Sequence, residues 1–252
     1  MKLNTIYNED CLEGMKKIPD SSVDMILCDL PYGTTNCSWD TILSFDLLWE
    51  QYSRITKKNS PIVLFGAEPF STLVRMSNLK QYKYDWYWKK NYATGFIFSK
   101  YQPMRSIETI SVFCKGTNLY NPQGIYEVKN PKVSIRKKES EDSVYKLNSL
   151  YGKEYVTKWA GYPINVLEFA KETKNRFHPT QKPTDLFDYL IKTYTKKADI
   201  VLDNCMGSGT TAISCLNTER NFIGYEQDKT YYEKSLIRIA AHKKLMESQA
   251  TK

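Results

Sequence analysis

Short apolar runs alternating with longer amphipathic stretches constrain this chain of 252 residues more than any other feature. Residues 23–29, 62–65, 109–113, 200–203 and 222–226 read as buried strands, each short and followed by polar or turn-forming residues. Between them, residues 43–57, 68–79, 183–196, 209–219 and 229–245 repeat apolar side chains at three- and four-residue spacing, which predicts helices. Such alternation selects an α/β fold with a mostly parallel, doubly wound sheet. Parallel neighbours need a crossover, and crossover helices cover both faces of the sheet.

The length suits one large α/β domain with an insertion, or two small domains. One stretch breaks the rhythm. From about residue 115 to 160 the chain turns polar, with Lys129, Lys132, Arg136, Lys137, Lys138, Lys146, Lys153 and Lys158 interleaved with tyrosines. We read it as an insertion dividing the chain into 1–114, 115–160 and 161–252; a solvated loop region is the other meaning of such a charge run. The formal charge of +8 suits a polyanionic partner, because lysines and arginines that neutralise phosphates release condensed counterions.

Composition also narrows the classes. The six cysteines form no C-x-x-C pair and only His178 and His242 could complete a metal site, so no metal is expected. The N-terminal residues lack the build of a signal peptide, and no apolar run approaches membrane-spanning length. The expectation is an intracellular, cytoplasmic protein with reduced thiols and no membrane partner.

Three constellations carry chemistry. Asp29-Leu30-Pro31-Tyr32 follows the strand at 23–28 directly, and ligands in an open α/β sheet bind beyond the carboxyl ends of strands. An aromatic amino nitrogen is a poor nucleophile because its lone pair is delocalised. Acceptors aimed at its hydrogens, here Asp29 and the carbonyl of Leu30 or Pro31, return density to nitrogen, while Tyr32 offers a ring on which a base can stack. The alternative is a strand ending in an ordinary proline turn.

The second constellation runs from Ile200 to Thr211 as strand, glycine turn and helix start. Gly207 and Gly209 permit close backbone approach to a ligand, and Thr210 or Thr211 can satisfy amides at the helix N-terminus. A further strand ends in Glu226, placed where a ribose-binding carboxylate belongs. With Ala212 in the third position the turn also fits a dinucleotide fingerprint. Too little chain follows it, however, for a second mononucleotide half, so an adenosine site is the better reading. The third is Arg176-Phe-His-Pro-Thr-Gln-Lys-Pro183, a helix start where His178, Thr180, Gln181 and Lys182 can donate to a cofactor carboxylate.

Together these elements resemble the amino-methyltransferases of DNA, specifically the circularly permuted β group in which the catalytic tetrapeptide precedes the cofactor-binding half. The resemblance covers nearly the whole chain. It takes in Asp10-Cys11-Leu12, residues 19–24, Asp29 to Gly33, Trp88-Lys-Lys-Asn91, Thr94-Gly-Phe96, Arg105-Ser-Ile-Glu108, residues 178–183 and residues 203–211. It implies a Rossmann-like fold that uses S-adenosylmethionine and acts on duplex DNA by flipping out the target base. Asp29, Leu30, Pro31 and Tyr32 would hold that base. Asp203, Met206, Gly207, Ser208, Gly209, Thr210 and Thr211 would shape the cofactor site beside Asp29, with Glu226 on the ribose and Asp10 and Cys11 near the adenine. His178, Thr180, Gln181 and Lys182 would reach the methionine end.

Lys89, Lys90, Arg136, Lys137 and Lys138 would contact phosphates, with the polar insertion as the target-recognition region. The tetrapeptide has Leu30 where the family more often has proline, a change that leaves the carbonyl acceptor in place. Asp at its first position leans towards adenine N6, with cytosine N4 as the rival; C5 methylation lacks its cysteine nucleophile. An RNA or protein methyltransferase and a silent nucleic-acid-binding module are the remaining alternatives. The resemblance leaves room for a homodimer and for a restriction endonuclease partner.

Overall fold

The computed structural model describes residues 1–34, 40–135, 152–172, 177–178 and 180–250. The chain divides into two compact units, one made of residues 1–121 with 165–252 and the other of residues 122–164.

The larger unit begins with β1 (Thr5–Tyr7), α1 (Cys11–Met15), β2 (Met25–Cys28), α2 (Phe45–Ile55), β3 (Ile62–Gly66), α3 (Phe70–Ser77), β4 (Tyr82–Thr94) and β5 (Arg105–Phe113). The smaller unit consists of β6 (Tyr126–Glu127), β7 (Val133–Ile135), β8 (Glu154–Val156) and β9 (Trp159–Ala160), paired antiparallel as β6 with β9 and β7 with β8. The chain then returns to the larger unit with β10 (Val166–Glu168), α4 (Thr184–Tyr194), β11 (Ile200–Asp203), α5 (Thr210–Asn217), β12 (Asn221–Tyr225) and α6 (Lys229–Ala250).

Eight strands form one sheet in the order β1-β12-β11-β2-β3-β5-β4-β10. Only β5 runs against its neighbours, pairing antiparallel with both β3 and β4, so the sheet is mostly parallel as the alternation requires. Successive side chains of a strand point to opposite faces, and the two cores divide accordingly. Met25, Leu27, Val63, Phe65 and Val201 pack with α4, α5 and Ile239 of α6. Ile26, Cys28, Ile62, Leu64 and Leu202 pack with α1, α2 and α3. Two-sided burial explains why these strands read as unbroken apolar runs.

Each expected helix starts and ends within a few residues of the observed one, apart from α6, which runs on to Ala250. Strand β4 falls outside the apolar-run pattern because it alternates buried Trp86 and Trp88 with Lys83 and Lys89. Among the described residues no helix is long and apolar enough to cross a membrane.

The topology fixes where a ligand can sit. Central strands β11 and β2 are adjacent and parallel, yet the chain leaves β11 through α5 towards β12 and leaves β2 through α2 towards β3, in opposite directions. The two crossovers part above the carboxyl ends of β11 and β2, and that divergence opens a crevice between Asp203 and Asp29.

Candidate functional site

A cavity of about 470 Å³ lies in that crevice, a volume ordinary for a small-molecule site. Asp29, Leu30, Pro31 and Tyr32, which follow β2, line it. So do Asp203, Met206, Gly207, Ser208, Thr210, Thr211 and Glu226, from the ends of β11 and β12 and the turn into α5, and Asp10, Cys11, His178, Thr180, Gln181 and Lys182 also face it. Residues spread from position 10 to position 226 therefore meet in one place.

The tetrapeptide is held by its own side chains and by a residue that carries no sequence signal. The Tyr32 hydroxyl donates to Asp29 Oδ1 at 2.6 Å, and its ring stacks on Phe70, the first residue of α3, with centroids 4.8 Å apart. Asp40 is buried and accepts three backbone N–H bonds, from Tyr32 at 2.7 Å, Gly33 at 2.9 Å and Thr34 at 2.9 Å. It thus ties the chain leaving the tetrapeptide into a fixed turn, with Gly33 at a φ of 66°.

On the glycine-turn side, Asp203 accepts from the Cys205 N–H at 3.0 Å and from the Thr211 hydroxyl. Burial pushes its carboxyl up to about 7, against the hydrogen bonds that favour the ion. Glu226 Oε2 accepts from the Gly207 N–H at 2.7 Å and Oε1 from the Asp228 N–H at 2.9 Å, so its carboxylate braces the turn as well as facing the cavity. Arg238 of α6 fastens the turn from outside, donating to the Ser208 carbonyl and to Thr210 Oγ1, each at 3.0 Å. His178 packs on Tyr231 with ring centroids 4.3 Å apart, and its Nδ1 shares a hydrogen bond of 3.1 Å with the Thr180 hydroxyl.

Not every expected site residue is placed as its pattern suggests. Gly209 does not line the cavity; a Cβ there would meet Ser235 and Ile239 of α6 at 3.3 Å, and its φ of 78° starts α5. It serves the approach of α6. Asp10 caps α1 through Leu12 and Glu13 N–H groups at 2.8 and 3.1 Å while also facing the cavity.

Lys182 directs its ammonium at Asp29 Oδ2, 2.6 Å away, and at Glu108 Oε2, 3.3 Å away. Lys182 thus contacts two carboxylates of the protein while also facing the cavity. The phosphate role expected of Lys90 is corrected: the side chain is 3% exposed and paired with Glu108 at 3.1 Å, and a buried, paired ammonium cannot reach a surface phosphate. Lys89 is exposed, paired with Glu168 at 2.8 Å. Arg136, Lys137 and Lys138 lie outside the described residues.

Groups of the kind that hold a nucleoside gather around the glycine turn. A carboxylate faces the cavity from Glu226, and the first turn of α5 has no side-chain cap for its N–H groups. Gln181 Oε1 is buried without a hydrogen-bond partner among the described residues, an acceptor suited to a ligand's ammonium. Asn204, held by the Tyr52 hydroxyl at 2.6 Å, and Tyr231 also line the cavity; Asn204 falls within the strand-and-turn motif without being singled out there, and no motif marks Tyr231. Cys11 also faces the cavity; its hydrogen bond with Cys205 and then burial push its thiol up, which disfavours the thiolate a covalent nucleophile needs.

Comparison with known proteins supplies a family. The N6_N4_Mtase model, described as DNA methylase, matches residues 23–237. Among curated proteins, the Type II methyltransferase M.HinfI of Haemophilus influenzae is 27% identical over 260 residues, covering 92% of this chain and 67% of that protein. The Type II methyltransferase M.HpaI of Haemophilus parainfluenzae is 28% identical over 247 residues, covering 91% and 72%. Among solved structures, the complex of M1.HpyAVI with SAM superposes with a TM-score of 0.62 at 24% identity, over 93% of this chain and 98% of that one. The cytosine-N4-specific PvuII DNA methyltransferase gives 0.67 at 16% identity, over 93% and 85%, a likeness of fold.

Proposed function

The chain belongs to the DNA methylase family, and on that premise we propose that it transfers a methyl group from S-adenosylmethionine to the N6 amino group of adenine in duplex DNA. The observation that carries this reading is the placing of Asp29 and Tyr32 in a single cavity with the glycine turn braced by Glu226. The amine-orienting acceptors and the groups suited to a nucleoside thus open onto the same cavity.

S-adenosylmethionine supplies an electrophilic methyl group on a sulfonium. The protein's part is to bring the amine to it. The target base leaves the helix, at a cost of a few kcal/mol in unstacking that pocket contacts offset. It enters beside Tyr32, where Asp29 and a carbonyl of the tetrapeptide accept the amine hydrogens and aim the nitrogen lone pair. Nitrogen bonds to the methyl carbon as the carbon–sulfur bond breaks with its electron pair on sulfur, and one amine proton is shed to solvent. Orientation and fixed dipoles supply the rate without a covalent enzyme intermediate. Glu226 binds the ribose, and Gln181 with the α5 N-terminus receives the methionine end. The unit of residues 122–164, with exposed Lys129, Lys132, Lys153 and Lys158, and Lys89 on β4 contact the duplex. A restriction endonuclease partner is consistent with the Type II names of the relatives.

Mass spectrometry of nucleosides from unmethylated duplex DNA incubated with the protein and S-adenosylmethionine tests the reaction. N6-methyladenine is the expected product. N4-methylcytosine would keep the chemistry and overturn the choice of base, and methyl transfer to RNA or protein alone would overturn the substrate.

A further inference from the structure

Four charged side chains from four separate stretches meet at the first residue of the tetrapeptide: Asp29 after β2, Lys182 before α4, Glu108 in β5 and Lys90 in β4. They alternate in sign. Lys182 Nζ lies 2.6 Å from Asp29 Oδ2 and 3.3 Å from Glu108 Oε2, and Lys90 Nζ lies 3.1 Å from Glu108 Oε1. The two lysine side chains are 8% and 3% exposed and the carboxylates 19% and 18%. Burying four charges is costly unless each has partners, and here the set is neutral overall. The motifs Trp88-Lys-Lys-Asn91 and Arg105-Ser-Ile-Glu108 supply two of the four.

Resting on the reading of Asp29 as the acceptor of the target amine, we infer that Lys182 is a positioning residue for methyl transfer, holding Asp29 ionised and fixed, and that Glu108, anchored by Lys90, sets how hard Lys182 pulls. A carboxylate can accept about four hydrogen bonds. Tyr32 takes one oxygen of Asp29 and Lys182 the other, so the group cannot turn, yet lone pairs remain for the amine. Were Lys182 to bond Asp29 alone, it would draw off the density the amine needs; sharing it with Glu108 limits that loss.

The electrostatics agree with this division. Burial pushes the Asp29 carboxyl up and Lys182 opposes the rise. Burial alone would also raise Glu108, but Lys182 and Lys90 hold it below the usual carboxylate range. The other groups facing Asp29 are the Tyr32 hydroxyl, the Cys28 thiol and the Asp203 carboxyl, none of them a cation. Lys182 is therefore the only cation in direct contact with Asp29 among the described residues.

The test compares Lys182→Met, Lys182→Arg and Glu108→Gln by three readouts: the pH profile of kcat on duplex DNA, the dissociation constant for S-adenosylmethionine, and the carbon-13 carboxyl titration of Asp29, assigned with Asp29→Asn. Lys182→Met should move the acid limb and the titration up by about one pH unit or more, and Glu108→Gln should move both down, since a neighbouring charge shifts a carboxylate by this order. Lys182→Arg should leave the limb near its wild-type position, which keeps the test open if the methionine variant folds poorly. Cofactor affinity should change little in all three. An unmoved titration in both neutralising variants, or a large loss of cofactor affinity in Lys182→Met with the titration unmoved, would overturn the inference and return Lys182 to the cofactor. The carbon-13 titration needs no turnover, so a wild-type protein inactive on DNA would sink the proposed reaction while the network is still judged.

Discussion

Glu226, at the end of β12, accepts a hydrogen bond of 2.7 Å from the backbone N–H of Gly207, in the turn after β11. One carboxylate thus braces the glycine turn and faces the cavity as well. Glu226→Ala should weaken S-adenosylmethionine binding by roughly 10- to 100-fold, the worth of a charge-assisted hydrogen bond. Glu226→Gln retains an acceptor for Gly207 and should fall between the two. Isothermal titration separates them; equal affinities in wild type and the alanine variant would refute both roles.

Asp40 gathers three N–H groups behind the tetrapeptide, so its loss should disorganise the base end and spare the cofactor end. Asp40→Ala should lower kcat and cost about 1–3 kcal/mol of stability, while Asp40→Asn, which keeps the acceptor for Tyr32 and Gly33, should be milder. Thermal melts and turnover on the same preparations check this. A drop in cofactor affinity equal to the drop in kcat would show that Asp40 does not act on one end alone.

Asp203 gives a pH dependence with a definite sign. Its folded carboxyl is raised to about 7, so the stability it contributes is complete below the usual unfolded carboxylate range near 4 and is lost as pH rises through 7. The loss is at most on the order of 4 kcal/mol. Asp203→Asn should therefore flatten the fall in Tm between pH 5 and 8 and gain relative to wild type at the alkaline end. Parallel Tm curves for the two proteins would contradict the raised carboxyl.

Exposed Lys129, Lys132, Lys153 and Lys158 should matter through charge rather than through sequence choice if the smaller unit meets phosphates. Replacing all four by glutamine should raise KM for DNA and reduce the slope of log affinity against log salt by about 0.9 for each phosphate that is no longer neutralised. Cofactor binding should be untouched. An unchanged salt slope would place the DNA path elsewhere.

What could be read from the sequence follows from which interactions are local. Strands β2, β3, β11 and β12 are legible because burial on both faces makes them continuous apolar runs, and the glycine turn because its φ values exclude most other residues. Strand β4 is hidden by its alternation of aromatic and charged residues, and the three-residue edge strand β10 by its shortness. The partners of Asp40 lie across residues 32–34, a pairing that no periodicity encodes. Lys90 reads as a surface base because its partner Glu108 stands 18 positions away on the neighbouring strand, where only the pairing of β4 with β5 brings it close.

Asp29 is proposed to act on the incoming amine and the glycine turn on the cofactor. Methyl transfer and S-adenosylmethionine binding measured side by side for Asp29→Ala and Asp29→Asn address it most directly. Turnover should fall by about 100- to 1,000-fold or more in both, as expected when an acceptor that orients the reacting group is lost, with cofactor affinity within a small factor of wild type. A collapse of cofactor affinity that matches the loss of turnover would contradict the division of the cavity into two ends.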